Sequence, residues 1–169
     1  MKLIAITGYK LSGKSTVAEE LRKMFMPATS RHINFADAVK DEVCARFCIT
    51  RDYLESHKGN YRLILQGVGT DIGRKLRGET YWIHKWLETL NGLNPVPQLV
   101  VCSDLRFKNE AECVRQLGGT LIRVYRTGTS SDGHASETEL DQIKPDFTVQ
   151  NDGTIDELRK QLQNLNLLS

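Results

Sequence analysis

No apolar run in the 169-residue chain approaches the roughly 18–20 residues needed to cross a bilayer, so no membrane span is expected. Charge of one sign is not in excess either. Lysine and arginine number 23 against 21 aspartates and glutamates, and the formal charge of +2 is too mild to argue for nucleic acid or a membrane surface as partner. The four cysteines stand at 44, 48, 102 and 113 with no C-x-x-C pair and no His/Cys cluster. They read as buried or spectator thiols rather than zinc ligands or disulfides, which fits a reducing cytoplasm. A signal peptide is not expected, because the short apolar run after Lys2 leads straight into a glycine loop without a cleavage-type segment. Internal repeats and low-complexity segments are also missing.

What remains is an ordinary globular composition, 40% hydrophobic and 26% charged, long enough for one compact domain with a sizeable core. Residues 2–7 read as a buried strand and 14–25 as a helix stopped by Pro27. A second strand is expected over 32–35, then a helix capped by Asp37 and running to about Phe47. Between 51 and 91 no strand is convincing; "RDYLES", "YRLILQGVGTDIGRKL" and "YWIHKWLETL" read as helices, broken near Gly59, Gly67–Gly69 and Gly78. Strands at 98–102, 120–125 and 147–150 follow, with helices at about 109–117 and over a stripe of Ile155, Leu158, Leu162 and Leu165. Five short strands alternating with helices predict an α/β fold with a parallel sheet covered on both faces.

The sharpest feature is "GYKLSGKST" at residues 8–16, where Gly8, Gly13, Lys14 and Ser15 satisfy G-x-x-x-x-G-K-[ST] between the first strand and the first helix. Glycines let the backbone turn its N–H groups, including those of Lys10, Ser12 and Thr16, into an anion-binding nest. The helix beginning at Lys14 adds the positive end of its dipole. Lys14 would reach the β- and γ-phosphates and the Ser15 hydroxyl would ligate Mg²⁺, so ATP with Mg²⁺ is the expected ligand.

A GTPase would need a base-reading N-K-x-D, which does not occur. A small-molecule kinase needs a carboxylate near Mg²⁺, cations for the acceptor phosphate and a lid that excludes water. Asp104 follows the apolar strand "QLVVC", and Arg106 two residues on can grip an acceptor oxygen; either alone could be an ordinary surface charge, but beside the phosphate loop the functional reading is favoured. Arg62, Gln66, Thr70 and Arg74 recur every four residues, a spacing that gathers them on one helical face, whether ligand-binding or merely solvated. Trp82 and Trp86 are also four apart, a spacing more common in cores than in base-stacking surfaces, though Trp82 is the candidate for the latter.

"FADAVK", "RLILQGVGTDIGR", "VVCSDLRFKNEAECVRQLGG" and "HASETELD" together resemble the bacteriophage-type deoxynucleoside monophosphate kinases, relatives of adenylate kinase and dephospho-CoA kinase. The resemblance runs in order over nearly the whole chain. It implies a three-layer P-loop NTPase fold: a core of residues 1–36, 95–126 and 145–169, a helical nucleotide-monophosphate-binding insertion at 37–94 and a short lid at 126–145. It also implies transfer of the ATP γ-phosphate to a deoxynucleoside monophosphate with Mg²⁺ in a host cytosol. The partners would be those small molecules, with neither nucleic acid nor membrane, and a homodimer is left open.

Carried over onto matching positions, the resemblance makes Asp104 the Mg²⁺-shell carboxylate and Arg106 a ligand of the acceptor phosphate. Lys40, one turn after Asp37, would face that phosphate; Ala38 stands where many relatives have proline. Arg62, Gln66, Thr70, Arg74 and Trp82 complete the acceptor side. Arg126, just after the fourth strand, would stabilise charge on the transferring group, with Arg123 its rival. His134, Ser136 and Glu137 match H-x-S-E in the lid, with Glu137 on the substrate side. "QNDGT" would lay adenine against backbone at Asn151 and Gly153, although Asn151, Asp152 and Gly153 serve equally as turn residues. Two rival functions stay open: a same-fold kinase of another phosphorylated metabolite, such as dephospho-CoA or phosphomevalonate, and a nucleotide-binding module without catalysis.

Overall fold

The computed structural model describes residues 1–25, 29–129 and 139–167. Its chain divides into two compact units, Met1–Asn34 with Asn94–Ser169, and Phe35–Leu93.

The first unit is built on five parallel strands in the order β2-β3-β1-β4-β5: β1 Lys2–Thr7, β2 Ser30–His32, β3 Leu99–Cys102, β4 Thr120–Tyr125 and β5 Phe147–Gln150. The central strand pairs Ala5 with Cys102 on one side and Thr7 with Arg123 on the other. Strand side chains alternate between faces. Ile4 and Ile6 pack into a core with Val17 and Leu21 of α1 (Lys14–Met24) and Leu158 and Leu162 of the C-terminal helix Ile155–Asn164. The opposite face carries the helix Lys108–Gln116, whose Ala111 and Val114 are buried. The result is the three-layer arrangement expected from near-continuous apolar strands.

Among the described residues the remaining α-helices belong to the second unit: α2 Phe35–Phe47, α3 Arg51–Ser56, α4 Lys58–Gln66 and α5 Tyr81–Asn91. The helices Lys108–Gln116 and Ile155–Asn164 are therefore α6 and α7. Val39, Val43, Leu54, Val68 and Trp82 form the core of this unit.

Four sequence expectations are corrected. The second strand covers Ser30–His32 rather than 32–35, because Ser30 is buried and pairs with Leu99. Phe35 instead opens α2, with its ring 4.4 Å from that of Trp86. Asp37 consequently lies in the first turn and is not the cap. The break read near Gly67–Gly69 falls there, since the segment is α-helical to Gln66, but Gly67–Leu76 continues as a π-helix rather than as a further α-helix. Glycines at 67, 69 and 73 supply few side-chain contacts to hold the tighter winding, and the Trp82 indole takes the space, its N–H donating to the Gly69 carbonyl at 2.8 Å. Finally, α7 ends at Asn164, so Leu165 lies just beyond it. Pro27 falls outside the described residues.

Candidate active site

In a parallel sheet every strand delivers its following loop to the same edge, and ligands bind along that edge. Here the edge gathers residues 8–13 after β1, 103–107 after β3, 126–129 after β4 and 151–153 after β5.

The loop after β1 is shaped for an anion. Gly8 and Gly13 have φ of 148° and 93°. A Cβ at Gly8 would stand 2.5 Å from the Val124 carbonyl oxygen, so no other residue fits. Leu11 also takes a left-handed conformation (φ 66°), which places strain within the phosphate loop. No side chain caps α1 and its first turn holds no carboxylate. Its terminal N–H groups and dipole therefore favour an external anion, whereas α7 is closed by its own Thr154–Glu157 capping box. Ser12 is fully buried, and its hydroxyl has no hydrogen-bond partner among the described residues. Lys14 curls over the mouth, its Nζ donating to the carbonyls of Gly8 at 2.9 Å and Tyr9 at 2.7 Å. Lys10 and Ser15 are exposed and Thr16 is half-buried.

The turn after β5 braces this loop. Asn151 Nδ2 donates to the Ser12 carbonyl at 2.9 Å. Asp152 accepts from the Thr127 amide at 2.6 Å and from its hydroxyl at 2.9 Å. Hydrogen bonds from Gln150 and Thr127 hold the Asp152 carboxyl below its usual range. The Asn151 side chain fixes the phosphate loop, while the expected adenine contact concerns its backbone; Gly153 lies exposed beside Glu157.

After β3, half-buried Asp104 accepts from the Cys102 thiol at 3.2 Å. Burial, more than any charge, pushes that thiol well up. The "DLRF" segment is held by residues that sequence reasoning passed over. Buried Glu110 accepts from the amides of Arg106 at 2.9 Å and Phe107 at 3.2 Å. The Asn34 side chain accepts from the Ser103 amide at 2.8 Å, and His32 Nε2 lies 2.8 Å from the Ser103 hydroxyl. Glu110 was detectable, since a glutamate three residues after a helix start is a capping signature. Asn34 and His32 carry no such local signal.

Arg126 and Arg123 part company. Arg126 is exposed directly after β4. Arg123 is 5% exposed within the strand and is ion-paired with Asp141. His134, Ser136 and Glu137 lie outside the described residues.

In the second unit, Lys40 is engaged by carboxylates, with Glu55 at 2.6 Å and Asp37 at 3.8 Å. Asp37 also accepts from Arg51 at 2.6 Å. Lys40 is therefore neutralised within its own unit rather than presented alone to an anion. Arg62 is exposed, while Gln66, Thr70 and Arg74 are half-buried. Their four-residue spacing now spans the change from α to π winding at Gly67, so it no longer defines one α-helical face. Trp82 is 3% exposed with its N–H satisfied, which makes it a core residue and corrects its candidacy as a base-stacking surface.

Among the described residues no cluster of three or more His, Cys, Asp or Glu could hold a metal. Ser15 and Asp104 each carry a hard oxygen of the kind Mg²⁺ takes, and Mg²⁺ typically completes its shell with waters and substrate phosphates. No helix among the described residues is long and apolar enough to cross a membrane.

Comparison with known proteins adds to this geometry. Residues 54–162 match the family model described as deoxynucleotide monophosphate kinase. A putative deoxynucleotide monophosphate kinase from Acanthamoeba polyphaga mimivirus is 34% identical over 96% of this chain and 94% of its own length. The deoxynucleotide monophosphate kinases of Escherichia phage RB69 and Enterobacteria phage T4 are 31% and 30% identical over 62% and 61% of this chain; the matches cover 43% and 44% of those proteins. Among solved structures, the Mycobacterium tuberculosis APS kinase aligns over 99% of this chain and 96% of its own, at 15% identity and a TM-score of 0.53. Shikimate kinase from Aquifex aeolicus aligns over 96% and 94%, at 19% identity and a TM-score of 0.51. These structural likenesses establish the fold: a parallel α/β sheet of the P-loop kinase type.

Proposed function

The chain belongs to the deoxynucleotide monophosphate kinase family, and from that premise we propose that it transfers the γ-phosphoryl group of ATP to a deoxynucleoside monophosphate, yielding ADP and the diphosphate. The observation that carries the proposal is the loop of residues 8–16, in which two left-handed glycines, an uncapped helix start and the Lys14 ammonium converge on one mouth.

Lys14 exchanges its carbonyl partners for the β- and γ-phosphates and follows the charge as it moves. Ser15 and Asp104 would hold Mg²⁺, which when bound neutralises phosphate charge. Arg106, its backbone fixed by Glu110, grips the acceptor phosphate, and Arg74 and Arg62 are the cations that the second unit offers an acceptor. Lys40 contributes there only by leaving Glu55. Arg126 serves the transferring group, because Arg123 is committed to Asp141. The acceptor phosphate oxygen is already nucleophilic, so positioning and charge neutralisation supply the catalysis and no strong base is required.

A coupled ADP-release assay across all ribo- and deoxynucleoside monophosphates tests the reading. ADP release that depends on a deoxynucleoside monophosphate is expected. Release driven instead by dephospho-CoA or another phosphorylated metabolite, and by no nucleotide, would overturn it.

A further inference from the structure

Three side chains of the sheet unit outside the roles above form one connected group. Arg123 in β4 is 5% exposed, and a buried guanidinium requires a counter-ion. Asp141 supplies it, accepting from Arg123 Nη2. The same carboxylate accepts from the Tyr9 hydroxyl, at 2.8 Å to Oδ1 and 2.7 Å to Oδ2. The Arg123 guanidinium carbon also stands 5.8 Å from the Tyr9 ring centre and 5.2 Å from that of Tyr125, within cation–π range.

Tyr9 is the second residue of the phosphate loop. Its carbonyl accepts from Lys14 Nζ at 2.7 Å and from the Ser12 amide at 3.2 Å. One residue thus joins the carboxylate to the ammonium, through its side chain on one side and its backbone on the other. We infer that Tyr9 and Asp141 are positioning residues, which hold the phosphate-loop backbone so that Lys14 waits at its mouth until the nucleotide's phosphates take the place of the Tyr9 carbonyl. The inference takes the identity of that nucleotide from the function proposed above. The Tyr9 hydrogen bond, ahead of Arg123, keeps the Asp141 carboxyl below its usual range, so the link persists in neutral solution.

The competing role is local: Asp141 merely neutralises Arg123 and stabilises the sheet edge. The two roles differ in what Tyr9→Phe does, since that change keeps the ring and the Arg123–Asp141 pair and removes only the link to the loop. Titration calorimetry with ATP and with adenosine, beside thermal unfolding, separates them in the full chain. Tyr9→Phe is expected to weaken ATP about three- to tenfold, the range of one partly exposed hydrogen bond to a charged group. Adenosine affinity and the unfolding midpoint are expected to stay near wild type. Asp141→Asn is expected to lose at least as much, and the double variant no more than the worse single. An ATP affinity unchanged in Tyr9→Phe, or ATP and adenosine weakened equally, would overturn the inference; should Asp141→Asn fail to fold, Tyr9→Phe still decides. A wild-type chain that binds ATP but phosphorylates no nucleotide would count against the proposed function alone. One that binds no ATP would sink both.

Discussion

Asn151 reaches from the turn after the last strand to the Ser12 carbonyl, 2.9 Å away, and only a glycine at 13 leaves room for it. A Cβ on Gly13 would stand 2.0 Å from Asn151 Nδ2, at a φ of 93° that side chains rarely adopt. Gly13→Ala is therefore expected to weaken ATP binding by more than about tenfold. Asn151→Ala, which removes the brace but not the nest, should cost about three- to tenfold. Combining the two should not restore wild-type affinity, because the backbone strain at residue 13 remains. Fluorescence titration with a labelled ATP measures all three, and wild-type affinity in Gly13→Ala would contradict this account of the loop.

The π-helical segment makes two glycines behave oppositely. A Cβ at Gly73 would fall 2.0 Å from Trp82 Nε1, while at Gly67 nothing lies within 4 Å. Gly67 has φ −62° and ψ −46°, which alanine adopts without strain. Gly73→Ala should destabilise by about 1–3 kcal/mol through overpacking, and Gly67→Ala should stabilise by about 0.4–1 kcal/mol through the unfolded chain. Urea unfolding of both variants checks the pair; equal effects would mean that Trp82 does not rest on Gly73.

Glu20 of α1 is buried and accepts from Arg159 of α7 at 2.6 Å and from Lys23 at 2.9 Å. Arg159 first, then Lys23, holds its carboxyl below the usual range. A lowered folded-state value means that the stabilisation is complete above the ordinary glutamate value of about 4.3 and is lost as pH falls through the folded one. Glu20→Gln should cost about 1–2 kcal/mol at neutral pH, with Arg159 half-exposed. The difference from wild type should shrink in acid. A difference that grows below pH ~4 would reverse the sign of this assignment.

The sheet was legible because its strands are apolar runs with strong boundaries: "KLIAIT" before a glycine loop, "LVVC" before Ser103, "TLIRVY" after a double glycine. The second strand was misplaced because "SRH" carries no apolar signal and is fixed by its partner Leu99, a long-range fact. The break at Gly67–Gly69 was legible from the glycines themselves, but its π winding was not, since periodicity reads α spacing and the indole against the segment comes from Trp82, beyond it. In the site, the local motif named residues 8–16, but Asn151 and the Tyr9–Asp141 pair reach it from far along the chain, and Glu110 holds the "DLRF" segment through backbone amides. Lys40 shows the converse: its spacing suited a phosphate, yet Glu55, fifteen residues on, holds it at 2.6 Å.

The central claim, that Lys14 and Arg106 serve a phosphoryl transfer between two nucleotides, is tested most directly by following label from γ-labelled ATP into a deoxynucleoside diphosphate. Wild type should form labelled diphosphate, and Lys14→Ala and Arg106→Ala should each form it at least about a hundredfold more slowly with unfolding curves intact. Near-normal transfer in either variant, or no labelled diphosphate from a folded wild-type chain that binds ATP, would contradict it.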